Sequence, residues 1–183
     1  MTVRVMVDLE TLSSRHDAVV VSIGAVPFSA AGPDMGRTFY EVLGRKAQVE
    51  FGRHVDPDTV DWWMRQSEAA RAVFHVAPVD PDLGLTRFGA FLFHLAELSG
   101  EQVEIYGYGS TFDNVVLRSL YQTFGLKAPW SYRGDMCYRT MVSLGRALKL
   151  EEPKREGTHH NALDDAVHQA RGAGLILTRL GIA

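Results

Sequence analysis

The 183-residue chain has a single cysteine, Cys137, and that scarcity excludes an intrachain disulfide framework and a thiolate zinc cluster built from this chain alone. It also lacks an excess of positive charge. Lys and Arg total 19 against 22 Asp and Glu, for a net charge of -3 and a pI near 6.1. There is no global basic field to coat a polyanion, so a nucleic-acid contact has to be local or carried by bound cations. Long apolar runs are missing too. The longest, residues 18–31, is interrupted by Pro27, and the N-terminus has neither the basic nor the apolar region of a secretory signal. These absences lead us to expect a cytoplasmic protein without a membrane partner. No repeat or low-complexity segment is visible, and 46% hydrophobic content is enough for one core, so residues 1–183 read as one domain.

Residues 3–7 and 18–28 are rich in β-branched side chains without helical spacing, and 37–43 follow across a Gly/Pro turn, which predicts three successive strands. Asp56 before Pro57 predicts a helix N-cap and a helix through about Phe74, ended by a linker over 78–81. Leu85, Phe88, Leu92 and Leu95 then mark a helix stopped at Gly100, and a short strand spans 103–106. Further helices are expected at 111–124, 136–148 and 162–180, with room for one more strand before the last two. The order implies an α/β fold, a mixed sheet flanked by helices.

Three stretches carry candidate chemistry. In "VMVDLETL", Asp8 and Glu10 are two residues apart on a strand, so they project to one side about 7 Å apart along the chain. Like charges so placed call for a counter-charge, which a hard divalent cation supplies; the bland alternative is a strand end facing water. In "GYGSTFDNVVLRSLY", Asp113 follows a strand and a glycine-rich turn, yet Ser110 and Asp113 also fit a capping box. In "EGTHHNALDDAVHQA", Asn161 is a plausible N-cap, Asp164 reads as a helix cap, and Asp165 reads as turned inward. His160 stands just outside as a base with a pKa near working pH. Asp135 reads as the cap of the next helix, and His54, His94 and His159 receive no role. Val60, Trp63, Ser67 and Phe74 share a helical face, which makes Trp63 core and leaves Trp62 free to stack on a base.

Together, "DLE" at 8–10, "FDN" around Asp113 and "HNALDD" at 160–165 resemble the three ordered motifs of the DnaQ-like 3′-5′ exonucleases, DEDDh subgroup, across nearly the whole chain. "DPDTVDWWMRQS" and "GYGSTFDNVVLRSLY" are further similar to small single-domain members, the phage exonucleases of the DexA type and bacterial RNA-trimming exonucleases. The resemblance implies a ribonuclease H-like fold, with three antiparallel strands and then parallel ones, and two-metal hydrolysis at a 3′ end releasing nucleoside 5′-monophosphates. It implies Asp8, Glu10, Asp113 and Asp165 as ligands of two divalent cations, Mg²⁺ or Mn²⁺, and His160 as general base. Thr11 and Leu12 fall where relatives meet the terminal nucleotide. Leu9 departs from the Thr or other small residue many relatives place between the two acids.

The implied partner is single-stranded or 3′-overhanging DNA or RNA, with the sugar left open, and small relatives suggest a homodimer. A chain ending at Ala183 gives less support to a tethered proofreading role. Two alternatives stay open. A catalytically silent end-binding or polymerase-binding module would show erosion of a ligand position, and none is eroded. A phosphoesterase acting on dinucleotides or nucleotide monoesters would show a different chain-length dependence of hydrolysis.

Overall fold

A run of Val, Met and Leu at the start of the chain extends as strand β1 (Thr2–Thr11), and the Val-rich segment after it returns antiparallel as β2 (Val20–Ser29). A computed structural model describes residues 2–182. β2 is buried over almost its whole length, which explains an apolar run that does not alternate. It pairs antiparallel with both β3 (Gly32–Pro33) and β4 (Phe39–Val42). The other edge of β1 takes β5 (Gln102–Gly107) in parallel, and β5 takes β6 (Asp135–Cys137), also in parallel. The sheet order is β3-β2-β1-β5-β6, with β4 also on β2. This is the mixed sheet that was expected, antiparallel first and parallel after.

Helices α1 (Arg45–Glu50), α2 (Pro57–Met64), α3 (Glu68–Arg71), α4 (Pro81–Ser99), α5 (Asp113–Thr123), α6 (Tyr138–Ala147) and α7 (Ala162–Leu180) flank it. Alternation along β1 divides the core. Val5, Val7 and Leu9 pack with Leu85, Phe88 and Leu92 of α4 and Leu117 and Leu120 of α5. Met6 faces the other way, into Tyr138 and Val142 of α6 and Ala166, Ala170 and Ala173 of α7. Asp8 and Glu10 have the parity of Met6, so β1 delivers them to the α6–α7 side. α7 can press close because its inner face is small and because β2 offers Gly24 opposite its start. A Cβ there would lie 2.2 Å from the backbone of Ala162 and Leu163.

Several boundaries differ from expectation. The single helix over 57–74 is broken: α2 stops at Met64, and the Ser67 hydroxyl accepts the Ala70 N–H to start α3, followed by a 3₁₀ turn over Ala72–His75. Pro81 is the first residue of α4 and not part of a linker, as suits a ring with fixed φ and no N–H. The third strand is trimmed to Phe39–Val42 and preceded by the two-residue β3, and α1 was not foreseen. Met136 and Cys137 belong to β6, so α6 begins only at Tyr138. Among the described residues no helix is long and apolar enough to cross a membrane.

Candidate active site

Asp8 and Glu10 lie near the end of the central strand, past the last β5 pairing at Met6. α7 brings a third carboxylate to them. Asn161 caps that helix, its Oδ1 accepting the N–H groups of Leu163 and Asp164 at 3.1 and 3.2 Å, and this sets Asp165 in the first turn pointing inward. Ligand oxygens of Asp8, Glu10 and Asp165 lie within 4.8 Å of one another. Asp165 also accepts the His160 backbone N–H at 3.0 Å through Oδ2, while its Oδ1 takes an ion pair from Arg155. Contrary to expectation, Asp164 does not cap α7. Its Oδ2 accepts the Thr158 N–H at 2.7 Å and so fastens the preceding loop.

Asp113 enters from the start of α5. The expected capping box is absent: Phe112 occupies the N-cap position with no side-chain bond, so capping does not account for this acid. Its carboxylate is buried, and the backbone groups of its own residue, Leu9 and Tyr108 favour its charged form. Gly107 makes the approach possible, because a Cβ there would sit 2.7 Å from Asp113 Cβ and 2.6 Å from Asn114 Oδ1. Asp135 is likewise no helix cap. It lies in β6, where Oδ1 accepts from Asn114 and Trp130 and Oδ2 from Arg118 at 2.9 Å.

Packing these acids together penalises their ionised forms. Burial, followed by the charges of Asp165 and Asp113, pushes Glu10 up to about 8. Burial and then the charges of Asp113, Glu10 and Asp165 raise Asp8 well above the ordinary carboxylate range, against the hydrogen bond from Gln169. Burial takes Asp113 up to about 7, opposed by the neighbouring backbone groups and by Arg139. The donor set is all oxygen, negatively charged and partly dehydrated, which fits hard divalent cations such as Mg²⁺ or Mn²⁺. Asp8, Glu10 and Asp165 could hold such an ion between them, with Asp113 bordering the same site.

His160 stands beside the cluster in a left-handed backbone conformation, φ 63°, which costs an L-residue about 1 to 2 kcal/mol. Its N–H bond to Asp165 holds that turn. The ring offers a nitrogen within 4.8 Å of an Asp165 oxygen, and its centroid is 4.7 Å from that of Trp62. Partial burial, and then the neighbouring His159, lower its pKa and favour the neutral imidazole.

Trp63 is 2% exposed, with its Nε1 donating to the Thr11 carbonyl at 2.8 Å, whereas Trp62 is 37% exposed. Trp62, Thr11, Thr59 and Phe112 line a recess together with Leu9 and Glu10. Leu12 packs against Val21, Val42 and Val73 and does not line it. A larger cavity of about 440 Å³ opens from the same carboxylates toward Tyr108, Tyr138, Arg139 and the loop carrying Arg155.

Three residues here had been passed over. Gln169 donates from Nε2 to Asp8 Oδ1 at 2.7 Å. It is one turn beyond Asp165, so helical spacing alone could have put it on the same face. Arg155 and Arg139 give no such local signal, since each arrives by the path of a loop or helix start.

A sequence model of the family described as "3'-5' exoribonuclease Rv2179c-like domain" matches residues 3–177. No curated protein matches the chain significantly. Among solved structures the chain is similar to E. coli exonuclease I in complex with a dT13 oligonucleotide, at TM-score 0.62 and 15% identity. The match covers 99% of this chain and 42% of that one, so the chain spans less than half the length of that relative. The zinc-bound form of the E. coli exonuclease I complex with single-stranded DNA aligns at TM-score 0.63 and 14% identity, over 99% of this chain and 41% of that one. The nuclease domain of 3'hExo, a DEDDh family member bound to rAMP, aligns at TM-score 0.60 and 14% identity, over 97% of this chain and 92% of that one. At these identities the likeness establishes the fold they share.

Proposed function

Because the chain belongs to the Rv2179c-like family of 3′-5′ exoribonuclease domains, we propose that it removes nucleotides from the 3′ end of RNA, releasing nucleoside 5′-monophosphates. The observation that carries this reading is the convergence of oxygens from the half-buried Asp8 and the buried Glu10 and Asp165 within 4.8 Å, beside Asp113 and His160. Asp8, Glu10, Asp113 and Asp165 would hold two divalent cations, Mg²⁺ or Mn²⁺. When bound, these supply an activated water and stabilise the charge developing on the leaving 3′ oxygen.

The chain's own groups have the remaining tasks. His160 accepts the proton of the attacking water at a ring nitrogen, and its lowered pKa keeps that nitrogen free at neutral pH. The recess lined by Thr11 and Trp62 takes the terminal nucleoside, with Trp62 as the exposed ring on which a base can stack. RNA is the substrate assigned here because the family is described as exoribonucleolytic. A homodimer and a cytoplasmic site of action, where the free Cys137 thiol persists, belong to the same reading.

The test is a time course with Mg²⁺ or Mn²⁺ on 5′-labelled single-stranded RNA and DNA of one sequence, with Asp8→Ala as control. The expected result is a one-nucleotide ladder shortening from the 3′ end, faster on RNA and absent in the variant. Binding of both strands without cleavage by the wild type would overturn the reading in favour of a silent end-binding module.

A further inference from the structure

The two recesses at the carboxylates meet at Leu9, Glu10 and Phe112. If the terminal nucleoside fills the one beside Trp62, the rest of the strand has to leave through the larger cavity, whose wall includes Tyr108 and Arg139. The state of the arginines there differs sharply. Arg155 is ion-paired with Asp165, whereas Arg139, in the first turn of α6, has no carboxylate within ion-pair distance among the described residues. Its side chain is nevertheless well placed. Nη2 donates to the Tyr108 carbonyl at 2.9 Å, and the guanidinium carbon lies 5.3 Å from the centre of the Tyr108 ring. Gly109, at φ 139°, leaves room for it, since a Cβ there would come within 3.2 Å of Arg139 Nη2. Tyr108, Asp113 and Arg139 line the same cavity, so the guanidinium stands on the wall that also carries the carboxylate cluster.

A guanidinium has five N–H donors, and a single carbonyl engages only part of that fork. What remains is an exposed, preorganised cation with planar donors facing the exit path, the geometry that suits a phosphate. We propose that Arg139 anchors the phosphate one linkage upstream of the scissile bond and so holds the strand in register over the carboxylates. This rests on the exonuclease reading above and adds to it a residue that contacts substrate and sets its position.

The test compares two single-stranded hexaribonucleotides, one of them carrying an uncharged methylphosphonate at the linkage next to the scissile one. Both have a 2′-deoxy sugar at that nucleotide to keep the linkage stable. In the wild type the neutral linkage should raise KM about tenfold or more, the usual worth of a charge-assisted contact. Arg139→Gln should show that raised KM on the native strand and cease to distinguish the two substrates, and Arg139→Lys should recover part of the difference. The anchor is overturned if Arg139→Gln still discriminates as the wild type does, or if the wild type does not discriminate at all. It is equally overturned if the variant lowers kcat alike on both strands with KM unchanged, which would mean that Arg139 acts only through Asp113. Failure of the wild type to cut the unmodified strand would instead overturn the exonuclease reading, and the anchor with it.

Discussion

Gln169 shows how much a single amide can matter at this site. Its Nε2 donates to Asp8 while its Oε1 is buried without a partner among the described residues, so the side chain fixes the direction of one carboxylate at the expense of an unsatisfied acceptor. Gln169→Leu keeps the volume and removes both groups. Metal affinity should fall about 10- to 100-fold while melting changes little, as read by calorimetric titration with Mn²⁺ beside a thermal scan. Unchanged affinity would mean that Asp8 is oriented by β1 alone. At His160 the expectation concerns pH. A base must be neutral to accept a proton, and a lowered pKa keeps His160 neutral to below its ordinary value of about 6.5. With metal saturating, wild-type rates should therefore hold down to the lower side of that pH. His160→Ala should leave a weak rate that climbs with pH as hydroxide replaces the base. A variant rate flat in pH would remove His160 from the proton transfer.

The loop over 151–161 and helix α7 act as a pair. The loop is tied down by Arg171 to Glu156 at 2.6 Å and by Asp164 to the Thr158 N–H, and this delivers Arg155 to Asp165. That guanidinium and a metal ion would share the Asp165 carboxylate, so the Arg155 ion pair opposes loading of the site. Arg155→Gln should tighten Mn²⁺ binding several-fold, measured by calorimetry, and the gain should shrink at high salt, where the ion pair is screened. Weaker binding in the variant would show that Arg155 supports the ligand set. This pairing also marks the limit of what local sequence conveys. The common side of Asp8 and Glu10 follows from a period of two, and Asn161 as cap with Asp165 turned inward follows from helix-start chemistry; both were legible. The break at Ser67 was not, because the apolar spacing through Val60, Trp63 and Phe74 continues across it and outweighs one hydroxyl. Nor was the reach of Arg155 or the Gln169 bond to Asp8, which spans 161 residues of chain. Contacts of that kind depend on how α7 docks against β2 at Gly24.

Across the whole molecule, gathering acids around one strand couples folding to pH. Asp8, Glu10 and Asp113 all titrate above the ordinary carboxylate range near 4, Glu10 at about 8 and Asp113 at about 7, with burial as the leading cause. A folded-state pKa raised above the unfolded one gives a contribution fully present below the unfolded value and lost as pH rises through the folded one. The metal-free protein should therefore lose stability from these groups as pH climbs from about 4 to about 8. A cation bound to the ionised cluster reverses the penalty, and because the acids must first release their protons, its affinity should rise over the same window. Glu10→Gln isolates the effect, since a neutral amide imitates the protonated acid at every pH. Without metal, the melting temperature of Glu10→Gln should exceed that of the wild type by a margin that widens from pH 5 to pH 8. With saturating Mn²⁺ the order should invert at pH 8, where the wild type alone keeps the full ligand set. Parallel melting curves for the two proteins across that range, with and without Mn²⁺, would mean that the cluster is open enough for water to carry its charge and that burial does not set its chemistry.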